Sequence, residues 1–259
     1  MTWKLPGPRD LARGVLWNNL GQGLPLLAAL VLVPRLVHGL GIDRFAVLSL
    51  AWLLIGYFTL FDLGVSGALT RMVSERLADS REDEVPSLVW TSLALTLGLG
   101  VAGGALLMAL APWLVERALR IPVALHGESL RLVTILAATL PVVTSTAALT
   151  GVLAAQQRFG SLNAVRVPLG VLTYAAPVAV LPFSTSLVAA GLALTAVRVL
   201  AGLAYLGMCL ALTPRLRERF VVDGALIRPI LRFGSWMTVT AVVGPFMVYF
   251  DRFLIGALL

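Results

Sequence analysis

The sequence predicts an all-α fold: a polytopic membrane helical bundle made of one six-helix lobe plus the first helix of a second lobe. Three observations carry this prediction. Of the 259 residues, 59% are hydrophobic and only 13% are charged. The mean hydropathy of +0.93 is far above that of a soluble domain. Apolar runs recur along the whole chain with short polar links between them, and most reach the roughly 20 residues that a bilayer crossing needs.

Composition also narrows the function classes. One cysteine, Cys209, provides no disulfide framework, and with two histidines it leaves little material for a transition-metal site. No cofactor or metal is expected. A net charge of +7 would suggest nucleic acid in a soluble protein. Here it reflects the bias of cytoplasmic loops toward Lys and Arg, and no nucleic-acid partner is expected.

The first predicted helix covers 14–36. The run is too long for a signal-peptide core and no small-x-small site follows it, so it is expected to be retained. Asn18, Gln22 and Pro25 recur at i, i+4 and i+7. They share a face that should meet protein or water rather than lipid. Arg35 closes the helix, where its head can reach the interface.

The second predicted helix, 44–70, holds Thr59, Asp62, Ser66 and Thr70 on one polar stripe. A carboxylate inside a lipid-length helix costs about 2.5–3.5 kcal/mol at the bilayer centre and less toward the surface. Asp62 is therefore either a structural acid satisfied by neighbouring donors or a coupling or gating group lining a cavity. A charged segment, 71–84, follows.

The third predicted helix, 86–111, contains Gly98, Gly100 and Gly103 in G-x-G-x-x-G spacing. No strand precedes them, so dinucleotide binding is excluded, and Gly100 with Gly104 is a helix-packing pair. The fourth, 130–155, is rich in Thr and Ser that can hydrogen-bond to backbone or to neighbouring helices. A polar link, 156–166, leads to the fifth, 167–181.

The sixth predicted helix, 186–212, places Gly191, Thr195, Arg198, Gly202, Tyr205 and Cys209 on one face. Arg198 lies too deep to snorkel easily and keeps its proton. It is either half of a structural ion pair, with Asp62 or another acid, or a cation for an anionic substrate. After a basic segment, 213–232, a seventh apolar stretch begins at 233 and carries the adjacent charges Asp251 and Arg252. The expected organisation is thus a lobe at 1–212, a basic linker at 213–232 and the start of a second lobe at 233–259.

Thirteen Lys and Arg residues fall in the loops on one side, including the N-terminus, and five on the other. The richer side is expected to be cytoplasmic. No P-loop, H-E-x-x-H, G-x-S-x-G or paired-Cys motif occurs, so no catalytic residue is assigned and the chain is not expected to be an enzyme.

Three segments carry a family resemblance: Phe45–Ala51 followed by Asp62-Leu63-Gly64 and Thr70-Arg71; Gly151–Phe159 with Asn163 and Arg166; and Phe233-Gly234-Ser235-Trp236 followed by Asp251-Arg252. Together they resemble the oligosaccharide (O-antigen type) flippases. That family of polysaccharide biosynthesis proteins belongs to the multidrug/oligosaccharidyl-lipid/polysaccharide exporter superfamily. The resemblance implies twelve to fourteen helices in two lobes, so this chain is expected to be a fragment.

It further implies a bacterial inner-membrane protein that moves a polyprenyl-pyrophosphate-linked oligosaccharide to the outer leaflet. Arg198, Arg35, Arg252, Asn18 and Gln22 would be substrate-binding residues, and Asp62 and Asp251 coupling or gating residues. The expected partners are the lipid-linked oligosaccharide, membrane lipids, and a second lobe or polysaccharide assembly proteins. A cation-coupled multidrug exporter of the same superfamily and a membrane-embedded enzyme of polysaccharide synthesis are the rival functions. Few intramembrane acids argue against the first, and the lack of a large soluble loop argues against the second.

Overall fold

The computed structural model describes residues 8–57, 62–119 and 121–238, with side chains from residue 23 onward. Every regular element among them is helical. In chain order these are α1 (Pro8–Leu40), α2 (Ile42–Tyr57), α3 (Val65–Ala78), α4 (Val85–Trp113), α5 (His126–Ala155), α6 (Phe159–Val180), α7 (Leu187–Leu212) and the short α8 (Arg215–Glu218). The described part of α9 covers 224–238. Five helical stretches among the described residues are long and apolar enough to cross a membrane: Gly23–Leu40, Glu82–Ala118, Val123–Ala155, Phe159–Val180 and Leu187–Leu212.

Inside a bilayer, burying apolar side chains gains little over lipid contact, so helices associate through close backbone approach and interhelical hydrogen bonds. The α4–α5 contact shows both. A Cβ on Gly100 would stand 2.5 Å from Pro141 Cα, and one on Gly104 would stand 2.6 Å from the Ala137 carbonyl oxygen. Thr144 Oγ1 donates to the Thr96 carbonyl at 2.8 Å. The G-x-x-x-G pair is therefore a packing device, as its spacing predicts.

The predicted face of the sixth apolar run packs as expected on its neighbours. From α7, Gly191 lies on Leu132 and Gly202 on Val142 and Thr146 of α5. The Thr195 and Thr139 hydroxyls share a 2.9 Å hydrogen bond, and the Tyr205 hydroxyl donates to the Leu162 carbonyl of α6 at 3.2 Å. On α1, Pro25 lies against Gly170 of α6, so that part of the predicted polar face does meet protein.

The two ends of the bundle are closed differently. At one end Glu128 accepts from Arg44 Nη2 at 3.1 Å and from the Leu187 backbone N–H at 3.3 Å. One carboxylate thus joins the N-terminal ends of α2, α5 and α7. The other end is basic. There the segment after α7 is fastened to α4: Trp90 Nε1 donates to the Leu216 carbonyl, and the Asp223 N–H donates to Thr91 Oγ1. Arg215 pairs with Glu82 at 2.9 Å.

Three element boundaries differ from the sequence expectation. The predicted link 156–166 shrinks to a turn around Gln157, and α6 begins at Phe159. Interfacial polar residues can occupy a helix as easily as a loop, which is why composition misplaced this start. Helix α9 begins at 224, inside the stretch assigned to the basic linker. The largest difference is the second predicted helix, which is not continuous. α2 ends at Tyr57, and α3 starts afresh at Val65 and carries the helix through the charged residues to Ala78.

The break has a local cause. Leu63 and Gly64 both have positive φ, 49° and 71°, a region that L-residues with side chains rarely adopt. Asp62 is only 6% exposed. Its Oδ1 accepts the Gly64 N–H at 2.8 Å, and its Oδ2 accepts the Ser66 hydroxyl. The polar stripe read from helical spacing is thus a carboxylate folded over the first turn of a new helix. α9 crosses at the same place. A Cβ on Gly64 would collide with the Gly234 backbone, and one on Gly234 would meet the Leu63 carbonyl oxygen at 2.7 Å. Arg71 lies over the Phe233 ring, 4.7 Å from its centroid.

Two substitutions test this joint. Gly64→Ala should lower stability by about 2–4 kcal/mol, combining left-handed strain with a backbone collision. The readout is the Tm and the monodisperse yield in detergent, and wild-type values would refute the close crossing. Asp62→Ala should cost about 1–3 kcal/mol by stranding the Gly64 N–H. Asp62→Asn keeps an acceptor and should lose less. Wild-type Tm and yield for both Asp62 variants would refute its role in holding the joint.

Candidate functional site

The helix break opens a cavity of about 630 Å³ toward the basic end of the bundle. Asp62, Ser66 and Thr70 form one wall, Thr150 of α5 the next, and Asn163 and Arg166 of α6 the third. Met237 and Thr238 of α9 border it. Glycines let the walls approach: a Cβ on Gly151 would lie 2.7 Å from the Ser66 carbonyl oxygen. Thr70 Oγ1 binds both that carbonyl, at 2.8 Å, and the Gly151 carbonyl, at 3.1 Å. α3 and α5 are thereby pinned together beneath the cavity.

The chemical groups on the walls are unequal. The Asp62 carboxylate accepts two local hydrogen bonds, and a carboxylate has about four acceptor positions, so part of its capacity faces the cavity. Asn163 is 6% exposed. Among the described residues its amide has no hydrogen-bond partner. Arg166, one turn further along α6, is exposed and likewise has no hydrogen-bond or ion-pair partner among the described residues. The cavity therefore offers a cation and an amide on one wall and a tethered acid with hydroxyls on the opposite one. Such a surface can hold an anionic group beside hydroxyl-rich chemistry.

Of the predicted substrate-binding and coupling residues whose side chains are described, Asp62 alone lines this cavity, together with Ser66 and Thr70 of its predicted stripe. Arg198 sits midway along α7, half-buried, and does not border it. Arg198 has no hydrogen-bond or ion-pair partner among the described residues. The alternative of an Asp62–Arg198 pair is not what forms: Asp62 takes its partners from its own turn. Arg35 is exposed on α1. The side chains of Asn18 and Gln22 lie outside the described set, and Asp251 and Arg252 lie outside the described residues.

Sequence reasoning named Asn163 and Arg166 only as carriers of the family resemblance, and gave neither them nor Thr150 a role in a site. Asn163 and Arg166 were placed in a polar link, where a shared face cannot be argued. On a helix their i, i+3 spacing puts them on one side, and that spacing was the available signal.

The profile of the polysaccharide biosynthesis protein family matches residues 11–259. A protein of Shigella flexneri that bears the provisional name O-antigen transporter is 26% identical over 254 residues, covering 95% of this chain and 58% of that protein. Crystal structures of MATE in the bent and straight conformations superpose with TM-scores of 0.73 and 0.72. Each is 16% identical and covers 92% of this chain and 54% of its own. At that identity the likeness is one of fold. The chain spans little more than half the length of the proteins it matches. The match over nearly every residue, on an apolar helical bundle with a polar cavity, places this chain in the polysaccharide biosynthesis protein family of multi-pass membrane proteins.

Proposed function

We propose that this chain forms one lobe, and the start of a second, of a flippase that moves a polyprenyl-pyrophosphate-linked oligosaccharide across the bacterial inner membrane for surface polysaccharide synthesis. The observation that carries the proposal is the polar cavity, holding charges of both signs, cut into an otherwise apolar bundle. Intramembrane polar groups are costly and mark substrate or ion paths. The basic end of the bundle is the cytoplasmic one on the Lys and Arg bias, so the N-terminus lies in the cytoplasm and the cavity opens toward the side where the substrate is made. Transport requires no covalent chemistry from the protein, in keeping with the absence of a catalytic motif in the sequence.

The substrate is an anion with a sugar chain and a long apolar tail. Arg198 supplies a cation at mid-depth, and an arginine in a low-dielectric site binds phosphate oxygens as a planar fork. Arg35 and Arg252 serve the outer end, and Asn18 and Gln22 contact the sugar chain. Asp62 and Asp251 are coupling or gating acids, with Asp62 also holding the helix joint. A second lobe, beginning within the segment after 213–232, completes the path, and transport proceeds by rocking of one lobe against the other. The name of the Shigella flexneri relative supports the same substrate class.

Arg198→Gln, introduced in the complete transporter, should abolish surface polysaccharide while membrane expression stays at the wild-type level. The check is a polysaccharide immunoblot beside a quantified membrane fraction. Normal polysaccharide would remove Arg198 from the substrate path.

A further inference from the structure

The geometry points to a binding site for the diphosphate group on the α6 wall of the cavity, formed by Arg166 and Asn163. It rests on the flippase reading for the identity of the natural ligand but not for the existence of the site. Asn163 carries the argument. Its side chain is more than nine-tenths buried, borders the cavity, and has no hydrogen-bond partner among the described residues. The amide is not sealed in: it faces the open volume of the cavity, so its hydrogen-bonding capacity is available to a ligand.

The surroundings select the filler. Arg166 lies three residues on, on the same helical side, and offers five N–H donors in a fixed fork that matches phosphate oxygens. The Asn163 amide adds two more donors. Across the cavity, Asp62 is held back by the Gly64 N–H and the Ser66 hydroxyl. Its remaining acceptor positions suit sugar hydroxyls and repel the phosphates, so the ligand is oriented. The diphosphate lies on α6, and the first sugar faces Asp62, Thr70 and Thr150. This site is distinct from Arg198, which does not border the cavity, and it lies nearer the basic end. It would be where a substrate head group is first taken up.

The test uses the purified protein in phosphatidylcholine nanodiscs with farnesyl diphosphate as the probe, and with inorganic pyrophosphate and phosphatidylglycerol as competitors. Arg166→Gln should weaken farnesyl diphosphate binding at least tenfold, and Asn163→Leu several-fold. Asn163→Leu should keep the Tm of the empty protein, because the amide makes no hydrogen bond to the described residues and the side chain is not shrunk. A purely structural asparagine would lose Tm instead, which would overturn its role as a ligand donor. Inorganic pyrophosphate should compete. Displacement by phosphatidylglycerol, with no preference for diphosphate, would assign the site to a lipid head group and overturn the proposal. So would unchanged affinity in both variants. Polysaccharide export, measured in parallel, separates the two readings. Arg166-dependent binding without any export by the complete protein would sink the flippase function and leave the site. Wild-type export and binding in Arg166→Gln would sink the site and leave the function.

Discussion

The turn at Asp62-Leu63-Gly64 is the constraint on which the other features of this lobe depend. An apolar run of this length would by default continue as one helix through the membrane. It does not, because two successive residues sit at positive φ, and the carboxylate of Asp62 takes the first N–H and the first hydroxyl of the helix that follows. The acid needs donors in an apolar setting, and the interrupted backbone has donors to give, so each offsets the other's cost. The redirected α3 can then be pinned to α5 through Thr70 and Gly151, while Gly64 lets the backbone of α9 pass. Cavity, break and crossing are one arrangement.

Away from this joint the bundle follows simpler rules. Apolar residues make two large clusters, one around Leu36, Leu132 and Leu194 and the other around Leu69, Leu149 and Tyr205. In lipid these contribute dispersion rather than hydrophobic burial, so their effect depends on how closely the backbones approach. The glycines of α4 and α7, set against α5, provide that approach. α5 is accordingly the central helix, meeting α4, α7 and α3 through glycines or threonine hydroxyls. Its run of threonines looks polar in the sequence but is spent on carbonyls within the bundle.

What could be read from the sequence divides along the same line. Gly100 with Gly104, and the small and polar face of the sixth predicted helix, were legible because helix packing is periodic and their partners lie on regular helices. The break was not, because helical spacing places Thr59, Asp62, Ser66 and Thr70 on one stripe whether or not the helix continues. Asp62-x-Gly64 did contain the alternative: an acid two residues before a glycine can accept that glycine's N–H and start a new turn. The α6 wall was missed for a different reason. Polarity marks both loops and the interfacial ends of helices, so 156–166 gave no sign of where the helix begins. Arg198 was legible as costly, but its neighbours in space were not.

Local rules are broken most densely around the cavity, and the type of violation matters. Ser92, Ser129 and the Trp52 indole nitrogen are also buried without a hydrogen-bond partner among the described residues, but these atoms are sealed from any cavity. They are fixed costs of packing. Asn163 differs because its amide borders open volume, where a ligand or water can reach it. Gly64 at positive φ and Asp62 in an apolar segment stand on another wall of the same space. A structure selected for stability alone would replace each of these with a helix-forming apolar residue, as it does over most of α4 and α7. Their convergence on one volume is what distinguishes a binding cavity from a packing defect.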